Sequence, residues 1–228
     1  TLNTTHHLSN SVRVGASVVR EKVFVQQQTA LYADFAYVLP LTPTDNLYLG
    51  IKAGGNFFNI DGTRFKTYNE QYDPYLQGIS SKFQPNVGVG AYYQQPRFYV
   101  GLSAPNLLAS DKTKVENEVV TSVAERISFY AQAGYFYPLT ADFTLSPRAQ
   151  AYINQKGNYQ LNASAAVLYS DYLEAALGYR SDSAVNICAL FKVPKYHLSI
   201  GYGFETNVDN NVGASVRNFH EFMLKVYW

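Results

Sequence analysis

At 228 residues, with 47% apolar and 15% aromatic side chains, the chain is too rich in rings to be disordered and is long enough for one sizeable domain. Charged residues are also 15%, under the roughly 25% of an average soluble domain, and the net charge of +1 argues against a nucleic-acid binder that works through a basic face. The single cysteine, Cys188, excludes a disulfide scaffold and a cysteine zinc cage, and no apolar run reaches the ~18 residues of a membrane-spanning helix.

Alternation with period 2 dominates the sequence. Thirteen runs carry it, near 1–8, 11–20, 29–39, 46–58, 84–94, 97–104, 125–138, 142–154, 159–169, 173–181, 183–193, 195–205 and 218–228. In 84–94, Val87, Val89, Ala91 and Tyr93 oppose Asn86, Gly88, Gly90, Tyr92 and Gln94. In 142–154, Phe143, Leu145, Pro147, Ala149, Ala151 and Ile153 oppose Thr144, Ser146, Arg148, Gln150, Tyr152 and Asn154. In 195–205, Tyr196, Leu198, Ile200, Tyr202 and Phe204 form the apolar face. Helical periodicity is almost absent; 112–125 (KTKVENEVVTSVAE) reads as a short helix or a loop.

Most runs exceed the usual ~5–6 residues of a globular strand and match the ~9–11 of a tilted membrane-spanning strand. Short connections at 9–10, 40–45, 95–96, 140–141, 170–172 and 193–195 alternate with long ones at 59–83, 105–124 and 206–217, although 154–158 and 181–182 are brief. Rings gather near strand ends, among them Phe35, Tyr37, Phe57, Tyr135, Tyr137, Phe143, Tyr159, Tyr169 and Tyr196, as interfacial girdles do. Low overall hydropathy beside one clean apolar face fits a barrel with lipid outside and polar side chains within. A β-sandwich or β-solenoid also alternates, but its strands are shorter. The expected fold is therefore all-β: a transmembrane antiparallel up-and-down β-barrel, one domain over 1–228, with the long loops extracellular. Even strand parity places one more strand before Thr1, giving 14 with about 13 in this chain.

Chemistry is sparse. His6 and His7 are adjacent, so on a strand they point to opposite faces and make a poor metal chelate. No Gly-x-Ser-x-Gly phrase accompanies the four histidines, and no catalytic residue, metal site or cofactor is assigned. By alternation the charges facing the lumen are Asp34, Lys52, Arg126, Arg148, Glu174, Arg180, Lys192, Glu205, Glu221 and Lys225. Mixed signs favour a salt-bridged filling over a selective pore. Loop 59–83 carries Phe65, Tyr68, Tyr72 and Tyr75, which either cover the barrel mouth or grip a surface partner. Pro147 in mid-strand calls for a bulge, an edge or a seam, and Gly54–Gly55 for a bend. Phe222, Leu224, Val226 and Trp228 alternate to the chain end and resemble the closing strand read by the bacterial outer-membrane assembly machinery.

The phrases QPNVGVGAYYQQPRFYVGLSAPNLL (84–108), FAYVLPLTPTDNLYLGIKAGGNFF (35–58), LGYRS (177–181) and NFHEFMLKVYW (218–228) resemble the PorP/SprF family of type IX secretion outer-membrane proteins. The most specific piece runs from Gly88 and Gly90 to Pro105, Asn106, Leu107 and Leu108. The resemblance implies a barrel of the outer membrane of Bacteroidota, surrounded by lipid and associated with type IX secretion components. It implies a role in export or cell-surface anchoring of a large secreted adhesin-like protein, linked to gliding motility in some relatives. A channel for small solutes is the alternative.

Overall fold

The structure is a computed structural model, and it describes residues 1–23, 26–60, 79–108, 110–116, 119–125, 127–208 and 218–226. The strands are β1 (Leu2–His7), β2 (Val12–Val23), β3 (Gln26–Pro40), β4 (Asn46–Ile60), β5 (Ile79–Gln94), β6 (Phe98–Asn106), β7 (Ser110–Glu116), β8 (Val119–Glu125), β9 (Ser128–Tyr135), β10 (Tyr137–Pro138), β11 (Phe143–Asn154), β12 (Tyr159–Tyr169), β13 (Leu173–Arg180), β14 (Ala184–Val193), β15 (Leu198–Asn207) and β16 (Asn218–Val226). Fourteen of them form one sheet in the order β1-β2-β3-β4-β5-β6-β9-β11-β12-β13-β14-β15-β16, with the two-residue β10 also on β11. The order is a meander of antiparallel neighbours and is compatible with a barrel. Among the described residues no helix is long and apolar enough to cross a membrane, which says nothing of strands.

Three local readings are corrected. Segment 112–125 is neither helix nor open loop: β7 and β8 pair as a two-stranded hairpin, as the β-branched run Val119-Val120-Thr121 favours. The 195–205 run starts later, at Leu198, because Pro194–Tyr196 forms a single 3-10 turn closed by His197 at φ 52°. Pro147 stands opposite Ala165 in unbroken register, so the ladder carries it with no bulge.

The tight turns are built by side chains. Thr42 Oγ1 accepts from the N–H groups of Thr44 (3.3 Å) and Asp45 (3.1 Å). Thr140 Oγ1 repeats the device with Asp142 (3.2 Å) and Phe143 (3.0 Å). Both threonines follow a Pro-Leu pair, Pro40-Leu41 and Pro138-Leu139. Such local bonds satisfy backbone donors where the ladder ends.

The chain divides into two compact units, Thr1–Tyr92 with Ser103–Phe129, and Tyr93–Leu102 with Tyr130–Trp228. In the first, register aligns His6, Val14, Phe35 and Ile51 on one face and His7, Arg13, Ala36 and Gly50 on the other. In the second, Phe143, Tyr169, Leu173, Phe191, Ile200 and Leu224 form one cross-strand row. The opposite face carries Ser146, Ala166, Ala176, Cys188, Gly203 and Glu221 in a row of its own.

Burial is inverted relative to a protein folded in water. Ser146 and Asn86 are at most 1% exposed, while Leu177 is 58% and Phe222 81% exposed. Large apolar side chains thus stand outward on strand after strand. Small and polar ones fill the other face.

Candidate functional site

On the polar face of the second unit, charges meet in pairs. Arg148 lies on β11 and Glu174 on β13, two strands apart, and Arg148 Nη1 reaches Glu174 Oε1 at 2.7 Å. Arg148 Nε also donates to Ser146 Oγ (3.1 Å). Arg180 on β13 bridges two acids: Nη2 to Glu205 Oε1 on β15 (2.9 Å) and Nε to Asp182 Oδ1 in the turn (2.7 Å). The first pair crosses β12 where Ser164 and Ala166 are small, and the second crosses β14 beside Ala184. Asn162 Nδ2 donates to Gln150 Oε1 (3.2 Å) along the same face.

Of the other charged candidates in this unit, Lys192, Glu221 and Lys225 lie on the same face. Lys192 and Lys225 are aligned through Ser199, and Glu221 is aligned with Cys188 through Gly203. Cys188 is an exposed free thiol. Asp34 and Lys52 oppose one another across β3 and β4 in the first unit. Arg126, the loop rings Phe65, Tyr68, Tyr72 and Tyr75, and Trp228 lie outside the described residues.

The pairs on this wall are partly wet, Arg148 and Glu174 being 30% and 18% exposed. Water screening limits such a pair to about 1 kcal/mol or less. Glu174→Gln is therefore expected to shift the urea midpoint of the folded protein only slightly. A loss of folded protein in the membrane would contradict a wet, weakly contributing pair.

The motif residues converge in the first unit. Asn86, 1% exposed, accepts at Oδ1 from the N–H of Val87 (2.8 Å) and of Leu108 (3.2 Å). The Leu107 N–H donates to the Val87 carbonyl (2.8 Å). Gly88 lies against Pro105: a Cβ there would sit 2.6 Å from the Pro105 carbonyl oxygen and 2.8 Å from its Cα. The two ends of the motif, 86–88 and 105–108, thus form one structural lock, closed by Asn86, Gly88, Pro105 and the Leu107–Leu108 backbone; Gly90 and Asn106 are close by in sequence. Gly54 and Gly55 have an equally local reason. The backbone of Leu31 and Tyr32 crowds the first, and the Gln84 carbonyl with the Phe83 ring crowds the second.

Sequence reasoning passed over two groups here. Asn86 was visible only as a polar position in an alternating run. Arg13 belongs to the polar face by the same alternation, with Gly15 and Ser17, yet short side chains around it hide the pattern.

The opposite, apolar face has its own geometry. Phe143 and Tyr169 pack as tilted rings 4.9 Å apart, and Tyr202 and Phe222 at 5.2 Å. Tyr202 Oη and His220 Nδ1 are hydrogen-bonded at 2.8 Å. Phe222, Leu224 and Val226 face this side on β16. In the second unit a shallow groove of 610 Å³ is floored by Ala131, Ala149, Ala151 and Ala163 beside Leu161 and Tyr179.

The family described as type IX secretion system membrane protein PorP/SprF matches the chain over residues 1–226. No curated protein matches the chain.

Proposed function

The chain belongs to the PorP/SprF family of type IX secretion system membrane proteins, and on that premise we propose that it is a multi-pass β-barrel of the bacterial outer membrane. Its role in this reading is accessory to secretion: it supports export or cell-surface anchoring of a large adhesin-like protein. It acts by binding and assembly, not by catalysis, alongside other type IX secretion components. In Bacteroidota that use such adhesins to move, the same role would contribute to gliding motility.

The observation that supports the membrane reading most directly is the inversion of the sheet. Leu177, Phe191, Leu224 and Phe222 are exposed on one face while Ser146, Ser199 and Asn86 are buried. A sheet in water buries the first set; a sheet in lipid exposes it. The alternative is a small-solute channel. Opposite charges paired across the polar face, Arg148 with Glu174 and Arg180 with Glu205, disfavour strong ion selectivity.

The deciding comparison is of surface and secreted proteins in cells with and without the gene. Loss of one or a few large secreted proteins, with general secretion intact, is the expected result. An unchanged profile would remove the secretion role and transfer the question to conductance in planar bilayers.

A further inference from the structure

We infer that the polar face of the first unit holds a binding site for an acidic, extended peptide, centred on Arg13 and Lys52. The inference deepens the proposed function, since it names the chemistry of the partner segment, and it rests on that reading for the partner's identity alone.

Three observations carry it. First, both cations are laid on tyrosine rings. The Arg13 guanidinium carbon lies 4.9 Å from the Tyr48 ring centroid, and Lys52 Nζ lies 4.1 Å from that of Tyr32. Tyr48 is itself backed by Tyr92 at 5.9 Å. The rings hold the charged ends in place without neutralising them. Second, among the described residues neither cation makes an ion pair, in contrast to Arg148 and Arg180 of the second unit. Arg13 Nε is moreover buried with no hydrogen-bond acceptor among the described residues. Because Arg13 is only half-buried, the outer nitrogens of its guanidinium, and not the buried Nε, are the donors that a ligand carboxylate reaches. Third, the floor between them is low. Register aligns Arg13 with Ala36 and Gly50, and a Cβ added at Gly50 meets nothing closer than 3.8 Å. Asp34 opposes Lys52, so the local balance is two cations to one carboxylate.

The spacing selects an extended chain. Arg13 and Lys52 are two strands and two residues apart in register. At ~4.8 Å between strands and ~3.3 Å per residue their Cα atoms are about 12 Å apart. The charged ends rest further apart, on Tyr48 and Tyr32, which register places one strand and six residues from one another, about 20 Å by Cα, so one carboxylate does not span them and about six extended residues do.

The test uses the purified, folded protein in detergent micelles and a fluorescent hepta-glutamate peptide, with hepta-lysine and free glutarate as comparisons. Hepta-glutamate is expected to bind and the other two to compete poorly. The Arg13→Gln, Lys52→Gln double variant is expected to weaken binding at least tenfold. Arg13→Lys with Lys52→Arg, which keeps both charges, should retain most of it, and Lys192→Gln should leave it unchanged. Each variant is first shown to fold by its heat-modifiable migration. Absence of hepta-glutamate binding to the wild type, equal affinity in the double-glutamine variant, or displacement by glutarate at equal concentration would each overturn the site. These readouts need no secretion, so a failed secretion phenotype and a failed site are separate results.

Discussion

Leu177→Arg is expected to lower the stability of the folded protein in lipid by ~2–4 kcal/mol, the range for a basic side chain on the lipid face near mid-bilayer. Leu177 sits in the middle of β13, in a cross-strand row with Ala165, Pro147, Ile187 and Phe204, and is 58% exposed. Were this face in water, replacing an exposed leucine with arginine would move stability by no more than about 0.5 kcal/mol. The two environments therefore give opposite expectations for one substitution. Urea titration of protein folded into lipid vesicles reads the difference. Ala176→Ser, on the adjacent residue and the other face, is the matched control and is expected to be tolerated. Equal midpoints for Leu177→Arg and wild type would refute a lipid-facing β13.

The second large effect is expected at Gly88. A methyl group there meets the Pro105 carbonyl oxygen at 2.6 Å and its Cα at 2.8 Å. These are backbone atoms, so no rotamer relieves the contact and the strands must part. Overpacking of this kind costs about 1–3 kcal/mol. It also strains the Leu108 N–H bond to Asn86. Gly88→Ala is thus expected to reduce the folded, heat-modifiable species in the membrane fraction. Gly50→Ala provides the contrast, because its nearest neighbour, the Phe35 carbonyl oxygen, would be 3.8 Å away. If both alanine variants accumulate equally, the close approach at Pro105 does not constrain the fold.

Both predictions depend on knowing which way a side chain points, and this was largely legible beforehand. A strand has a period of 2, so Phe143, Leu145 and Ala149 separate from Thr144, Ser146 and Arg148 without any tertiary information. The order of the strands also followed, since sequence neighbours with short turns pair first. Where alternation is interrupted by turn chemistry the reading slipped. Tyr196 fits an alternating run yet belongs to a 3-10 turn, because Pro194 fixes its own φ and withholds a ladder donor. The 112–125 segment contains both charged, helix-compatible residues and a β-branched run, and only pairing between its halves resolves them into β7 and β8.

The sequence by itself determined the all-β class, the succession of long strands, the two-faced character of each and the family. Those properties are local, or are repeated so often along the chain that local pattern suffices. Only the tertiary structure decided which residues meet. That Arg148 reaches Glu174 and not another acid, that Arg13 rests on Tyr48, and that Gly88 is small because Pro105 passes over it are facts of register between strands. Register is set cooperatively by turn geometry and by the packing of both faces, and a shift of one residue would turn every one of these side chains to the other side.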